Sequence, residues 1–430
     1  MQARIEPGNV KGCIKAAPSK SMTQRVLAGA LLHEGKTIVK NAGVSDDEKA
    51  AIGIIEALGA NIMAHKDDLV EIESKGLDIT SVFINTADVI DCGESGLSAR
   101  LFTPIAALNT KKITVTGRGS LLKRPMKSFE TILPQLGVSI QSTNGCLPLV
   151  LNGPLVPQSI AIDGSESSQF LSGLLFAFCY AQHNPMDVIK VNDLKSKPYI
   201  DMTLYVLKKF GCIVDHEEYK TFYIGENFNF AGEEIEVTIE GDWSSAAALL
   251  VAGAIAGEIT IEGLANNYIQ ADNVIISLLQ RAGAIVEWQQ DAVTVRSGPL
   301  KAFEFDATDC PDLFPVLAIL AACSEGESYI TGVHRLFHKE SNRAESISEM
   351  LQSFDVPFSV EDDALCIYGV DKLQGTTIDS FHDHRIVMAA TIGALRANGP
   401  VDIQYAESVN KSYPDFFKDF KVCGGKCELV

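Results

Sequence analysis

The sequence predicts an α/β protein of two domains assembled from six copies of one strand-and-helix repeat. Three observations carry that prediction: a length beyond one ordinary core, a self-similar segment recurring about every 70 residues, and apolar runs of a size that suits buried helices.

At 430 residues the chain calls for more than one hydrophobic core. Hydrophobic residues make up 46%, charged residues 21% and aromatics 7%, a profile of compact α/β proteins rather than of disordered chains. A net charge of −19 argues against nucleic acid or an anionic membrane as partner, because both demand a basic surface, so any anion site has to be a local basic pocket. The runs Phe170 to Ala181 and Ala246 to Ala256 fall short of the roughly 20 residues of a membrane span. Met1 to Pro7 lacks the apolar stretch of a secretory signal, so a cytoplasmic location is expected. The ten cysteines lie mostly in apolar segments without Cys-x-x-Cys spacing and are expected as reduced core thiols. Cys423 and Cys427 flank Gly424-Gly425-Lys426 and could face each other across a terminal hairpin.

Each repeat opens with a polar turn and an apolar helix. A short strand with alternating, β-branched residues follows: Thr37 to Lys40, Ile113 to Thr116, Val188 to Val191, Ile259 to Glu262, Ser328 to Thr331 and Val401 to Gln404. An amphipathic helix then stops at a glycine or similar signal and leads into a β-hairpin, over Ile54 to Ile72, Ile132 to Leu151, Leu204 to Ile224, Val274 to Val295 and Ile347 to Ile367. The sixth copy is truncated, with room only for Lys421 to Cys423, a glycine turn, and Cys427 to Val430. Six such repeats fit two domains of three better than one solenoid, whose segments are shorter and more uniform. The seam between the third and fourth repeats is placed at Ile235 to Asp242.

The polar turns hold the chemistry. They are Ser19 to Arg25, Glu94 to Arg100, Glu166 to Gln169, Asp242 to Ser245, Asp309 to Asp312 and His382 to Arg385, each at a predicted helix start where backbone N–H groups favour anions. Cation-rich clusters lie between them, at Leu122 to Met126, His338 to Arg343 and Asn410 to Pro414. Taken singly, each is also what a capped helix with solvated cations looks like. Collected in one cleft they would suit a multiply anionic ligand. No Gly-x-x-x-x-Gly-Lys-Ser/Thr loop is present, Gly117-Arg118-Gly119 lacks the context of a dinucleotide fingerprint, and His382 and His384 point apart, so neither nucleotide cofactor nor metal is expected.

In order along the chain stand Ser19-Lys20-Ser21-x-x-x-Arg25, Lys123-Arg124-Pro125, Ser167-Ser168-Gln169, Ser196-Lys197-Pro198-Tyr199, Lys339-Glu340-x-x-Arg343, Asp383-His384-Arg385 and Lys411-Ser412-Tyr413-Pro414-Asp415. This ordered set resembles the enolpyruvyl transferase family, in particular its shikimate 3-phosphate branch, over essentially the whole chain. The resemblance implies two domains of three βαβαββ units, each around a pseudo-threefold axis as an inside-out α/β barrel. Residues 1–19 plus 241–430 would form one domain and 20–240 the other, with the active site in the cleft between them.

The implied reaction moves the enolpyruvyl group of phosphoenolpyruvate to the 5-hydroxyl of shikimate 3-phosphate, with release of phosphate and without metal or organic cofactor, in a cytoplasmic monomer. By the same resemblance Ser21, Arg25, Ser167, Ser168, Ser196 and Tyr199 contact the acceptor, while Lys20, Arg124, Gln169, Arg343, Arg385 and Lys411 contact the donor, with His384 beside Arg385. Asp312, helped by Lys339, is expected as base on the 5-hydroxyl and Glu340 as acid at the methylene carbon. The bland role for Glu340 is a salt bridge with Arg343. Gly96 leaves room beside the donor phosphate, and for the inhibitor glyphosate, whereas Leu97 replaces the usual hydroxyl residue and Arg335 stands where some relatives carry Asn. Two other readings compete: the sister transferase acting on UDP-N-acetylglucosamine, disfavoured because Arg118 to Leu122 has no reactive cysteine, and a non-catalytic anion-binding scaffold, which would have no use for Glu340 beside Lys339.

Overall fold

The computed structural model describes residues 1–430 apart from 67, 78–86, 182–183, 185, 226–231, 233 and 265–268. The chain divides into two units, Pro18–Ile239 on its own and Glu240–Val430 together with Met1–Ala17. The divisions fall one or two residues ahead of the expected 19/20 and 240/241 boundaries.

Among the described residues there are six four-stranded sheets, three in each unit. In the Pro18–Ile239 unit the order Val89–Asp91, Lys112–Thr116, Cys146–Asn152, Ser139–Thr143 shows the common plan. The first two strands are parallel, as a strand–helix–strand crossover requires, and the last two form an antiparallel hairpin. All six strands expected from alternation are present. Lys112–Thr116 buries Ile113 and Val115 and exposes Lys112, the pattern of a sheet with one face on the core and one facing water.

The helices that open the repeats lie on the covered side. In Trp243–Ala256 every residue but Ser244 is buried, which fits a helix surrounded by protein rather than one lying on a surface. It packs with Phe314–Ala322 and His384–Ala394 in the core of its unit. In the other unit Gly96–Ala106 and Ser168–Tyr180 pack so closely that a Cβ on Gly173 would lie 2.5 Å from the Arg100 carbonyl oxygen. Apolar helices thus lie within and one-sided sheets without, as the resemblance to the enolpyruvyl transferases implies. No helix among the described residues is long and apolar enough to cross a membrane.

At both divisions the sheets depart from simple repetition. Val10–Lys15, which precedes the first repeat's helix, pairs in parallel with Gly257–Glu262 of the fourth repeat. Reciprocally, Ile235–Thr238 pairs in parallel with Glu34–Lys40 of the first. Two sequence-based expectations are corrected. Phe416–Val422 is a helix, burying Phe416, Phe417 and Phe420, so no terminal hairpin starts at Lys421, and Lys426–Leu429 pairs instead with the N-terminal strand Gln2–Glu6. The sixth sheet is completed by this borrowed strand, which also pairs with Val401–Gln404. Cys179 and Cys212, expected as thiols, form a disulfide with their Cα atoms 6.6 Å apart, whereas the other eight cysteines are free.

Candidate active site

The polar turns become oxygen caps on helix starts. Ser19 accepts from the Met22 N–H, Ser95 from Ser98, Ser167 from Gln169, Asp242 from Ser245 and Asp383 from Arg385, satisfying N–H groups that a helix cannot satisfy internally. The fifth start differs: Pro311–Leu313 forms a tight turn that continues into Phe314–Ala322 with no side-chain cap, leaving Asp312 to other partners.

In the Pro18–Ile239 unit, Lys20 begins the Lys20–Leu32 helix and pairs with Asp47 at 2.9 Å. Arg25, in the second turn of the same helix, is 1% exposed. Its Nε donates to Thr203 Oγ1 at 2.9 Å and its terminal nitrogens donate to the carbonyls of Ser21 and Tyr199, at 2.8 and 3.3 Å, and to Ser172 Oγ. None of these acceptors is charged, and burial pulls the guanidinium down to about 10. A buried cation held by neutral groups is a strong attractor for an anion. Ser196, in the left-handed region at φ 55°, turns the chain into the Lys197–Lys209 helix and thereby brings the Tyr199 carbonyl to Arg25.

Gly96 and Arg124 are in direct contact. A Cβ on Gly96 would sit 2.4 Å from an Arg124 terminal nitrogen, so the glycine is what lets this buried guanidinium lie against a helix start. Ser168 is buried in the first turn of Ser168–Tyr180, and Gln169 accepts from Arg100 through Oε1 at 3.1 Å. Arg100 was not singled out from sequence. It is 2% exposed, donates to the Pro125 carbonyl at 3.0 Å, and its guanidinium lies 5.1 Å from the Phe170 ring centroid. Gln24 carries no sequence motif either, yet its buried Oε1 accepts from both Ser95 and Ser98, tying Lys20–Leu32 to the start of Gly96–Ala106. For Arg100 the available signal was a cation directly ahead of the apolar pair Leu101-Phe102.

In the Glu240–Val430 unit the candidate residues form one charge network. Arg343 is fully buried and donates to Asp383 at 2.8 Å, Asp312 at 2.7 Å and Glu340 at 2.7 Å. Arg385 donates to Asp312 at 3.0 Å and to the Ser244 carbonyl at 3.2 Å, and Lys339 lies 3.6 Å from Asp312. Burial alone would raise the Asp312 carboxyl, but Arg385, Lys339 and Arg343 outweigh it and hold the group well below the usual carboxylate range. Burial lowers Lys339 most, Asp312 opposes, Arg343 adds to the lowering, and the amine comes down to about 8. Burial works against the charge of Arg343, yet Asp383, Glu340 and Asp312 keep it well above its ordinary value. His384 is buried beside Asp383, and Lys411 donates to the His382 carbonyl at 2.8 Å. Hence Asp312, Lys339, Glu340, Arg343 and Arg385 share one cluster, with Lys411 anchored one residue from Asp383. The salt bridge foreseen as the bland role for Glu340 is formed.

Such a cluster can bind phosphate or carboxylate and also move protons, since it combines a fixed carboxylate, an amine able to lose its proton near neutral pH, and a glutamate. Residues 5–420 match the family model of EPSP synthase (3-phosphoshikimate 1-carboxyvinyltransferase). The chain is 34% identical to a 3-phosphoshikimate 1-carboxyvinyltransferase of Clostridium novyi, with 98% of this chain and 97% of that protein covered, and 35% identical to one of Methanocorpusculum labreanum, with 99% of each covered. An EPSP synthase structure from Acinetobacter baumannii is similar over 100% of both chains, with a TM-score of 0.80 and 27% identity. The enolpyruvyl transferase NikO from Streptomyces tendae shares the fold, with a TM-score of 0.77 at 19% identity over 99% of this chain and 98% of its own. Capped helix starts, a buried Arg25 without a carboxylate, the Asp312–Arg343 network and these full-length likenesses lead to one conclusion: the chain belongs to the EPSP synthase family.

Proposed function

We propose that the chain transfers the enolpyruvyl group of phosphoenolpyruvate to the 5-hydroxyl of shikimate 3-phosphate, releasing phosphate on the route to chorismate and aromatic amino acids. The observation that supports the residue roles is the Asp312–Lys339–Glu340–Arg343 cluster, in which Arg343 bonds both Asp312 and Glu340 at 2.7 Å and Lys339 lies 3.6 Å from Asp312. Ser21, Arg25, Ser167, Ser168, Ser196 and Tyr199 serve the acceptor. Lys20, Gly96, Arg124, Gln169, Arg343, Arg385 and Lys411 serve the donor.

Proton transfer divides as follows. Glu340 gives its proton to the methylene carbon of the donor, leaving the adjacent carbon open to attack. The acceptor oxygen bonds to that carbon as its own proton passes to Lys339, which is closer to the working pH than Asp312. Asp312, held as an anion by its three cations, orients the hydroxyl and the amine. In the second half Glu340 takes a proton back from the new methyl group while the C–O bond to phosphate breaks, restoring the double bond. For Glu340 to act, the donor's carboxylate has to take over Arg343, since both anions are suited to the same guanidinium.

The sugar-nucleotide reading is set aside, because the family match is to the shikimate branch and Arg118 to Leu122 carries no cysteine. A phosphate-release assay with phosphoenolpyruvate and either acceptor tests the proposal. Turnover with shikimate 3-phosphate alone is expected, and turnover only with UDP-N-acetylglucosamine, or with neither, would overturn it. Glu340→Gln is expected to lower kcat by about 10²–10⁴ with the fold intact. Near-normal turnover would remove the acid assignment.

A further inference from the structure

Asp272 has no role in the scheme above. It lies in the Ala271–Val274 turn ahead of the Ile275–Ala282 helix and is 1% exposed. Its Oδ2 accepts a short hydrogen bond from the Ser244 hydroxyl, while its Oδ1 is buried with no hydrogen-bond partner. The turn is clamped to the start of Trp243–Ala256: Gln270 accepts from the Trp243 N–H at 2.9 Å and donates to the Glu240 carboxyl and the Gly241 carbonyl, each at 2.7 Å. Ser244 is the link to the charge network, since its carbonyl accepts from Arg385. Arg385 in turn has a buried Nε with no partner, although its other nitrogens reach Ser244 and Asp312. Asp312 thus meets the Arg385 guanidinium directly while Asp272 is joined to it through Ser244, and Asp272 and Arg385 each retain an unused polar atom.

We infer that Asp272 is a positioning residue, whose carboxyl sets, through Ser244 and Arg385, how much positive charge the Arg385–Asp312 pair offers to an anionic donor. The inference rests on the proposed role of Arg385 in binding phosphoenolpyruvate. The groups facing Asp272 are Asp242 at the cap of Trp243–Ala256, Asp312 and Cys310 at the Pro311–Leu313 turn, and Arg385 from His384–Ala394. Burial, then Asp312, push the Asp272 carboxyl up to about 7, against the pull of Arg385. A protonated Asp272 leaves Arg385 with a single anionic neighbour, Asp312, and full attraction for the donor. Once the proton is lost, a second carboxylate competes for the same guanidinium and repels the incoming phosphate. Donor binding and the Asp272 proton are therefore linked: each favours the other.

The test compares KM for phosphoenolpyruvate in the wild type, Asp272→Asn and Asp272→Glu from about pH 7 to 9, above the second ionisation of the donor's phosphate. Wild-type KM is expected to rise roughly tenfold across this range, Asp272→Glu to keep a rise, and Asp272→Asn to stay flatter by that factor. Lys339 also titrates here but is common to all three proteins, so the difference between them reads position 272. Parallel profiles for wild type and Asp272→Asn would overturn the inference. A second readout needs no turnover: in protein labelled with [13C]aspartate, one carboxyl resonance should titrate near pH 7 and vanish in Asp272→Asn. Its absence from the wild type would also overturn the inference, whereas a titrating resonance in a protein that releases no phosphate would overturn the proposed reaction alone.

Discussion

Gly96 shows how a single missing methyl group shapes a binding residue. Because a Cβ there would meet the far end of the Arg124 side chain and not backbone, Gly96→Ala should move the guanidinium without disturbing the helix. The expected result is a KM for phosphoenolpyruvate raised about tenfold with the melting temperature unchanged, since 1.4 kcal/mol of lost binding corresponds to that factor. Lys339 makes a second residue-scale prediction. As the proton acceptor with a value of about 8, it has to be neutral to act, so kcat should rise through pH 8 to a plateau, and Lys339→Met should abolish both the rise and most of the rate. A kcat that falls through pH 8 would mean that the cation is required instead. Asp272 adds a stability effect. A carboxyl raised in the folded protein contributes most below its unfolded value of about 3.9 and progressively less as pH climbs toward 7. The melting temperature of Asp272→Asn, relative to wild type, should therefore climb between pH 4 and 7 and level off above that. The Lys339-Glu340-x-x-Arg343 motif made Glu340 and Arg343 legible in sequence, and Asp312 stood out as the end of a polar turn ahead of an apolar helix. Asp272, Arg100 and Gln24 were not legible, since none of them belongs to a motif of the resemblance, and a polar residue near a helix start looks the same in sequence whether it faces solvent or a buried partner.

Elements were legible where the pattern is local. Alternation located all six central strands, and Ser or Asp before an apolar run located the caps. The terminal segment was misread because Gly424-Gly425 suggested a hairpin, although the spacing of Phe416, Phe417 and Phe420 is that of one helix face, and this outweighs the turn signal. Between helices, Gly173 is the tightest constraint in its pair. Gly173→Ala would press a methyl group onto the Arg100 and Leu101 carbonyls, both backbone atoms, and should destabilise the protein by about 1–3 kcal/mol. The variant should unfold at lower urea than wild type, and its KM for the donor should rise as Arg100 shifts against Gln169.

At the scale of the molecule, long-range strand pairing was the least legible feature, since neither periodicity nor turn chemistry records a partner about two hundred residues or more away. The number of repeats was readable, but the parallel pairing of Val10–Lys15 with Gly257–Glu262, and of Ile235–Thr238 with Glu34–Lys40, was not. That exchange has a consequence during synthesis. Emerging from the ribosome at about 5–20 residues per second, the Pro18–Ile239 unit has all its strands as soon as Ile235–Thr238 appears. Val10–Lys15 is made early yet waits some tens of seconds for Gly257–Glu262, and Gln2–Glu6 waits longer still for Val401–Gln404 and Lys426–Leu429. The earliest-made strands are thus among the last to be paired, and they are the part of the nascent chain that a holdase would have to cover.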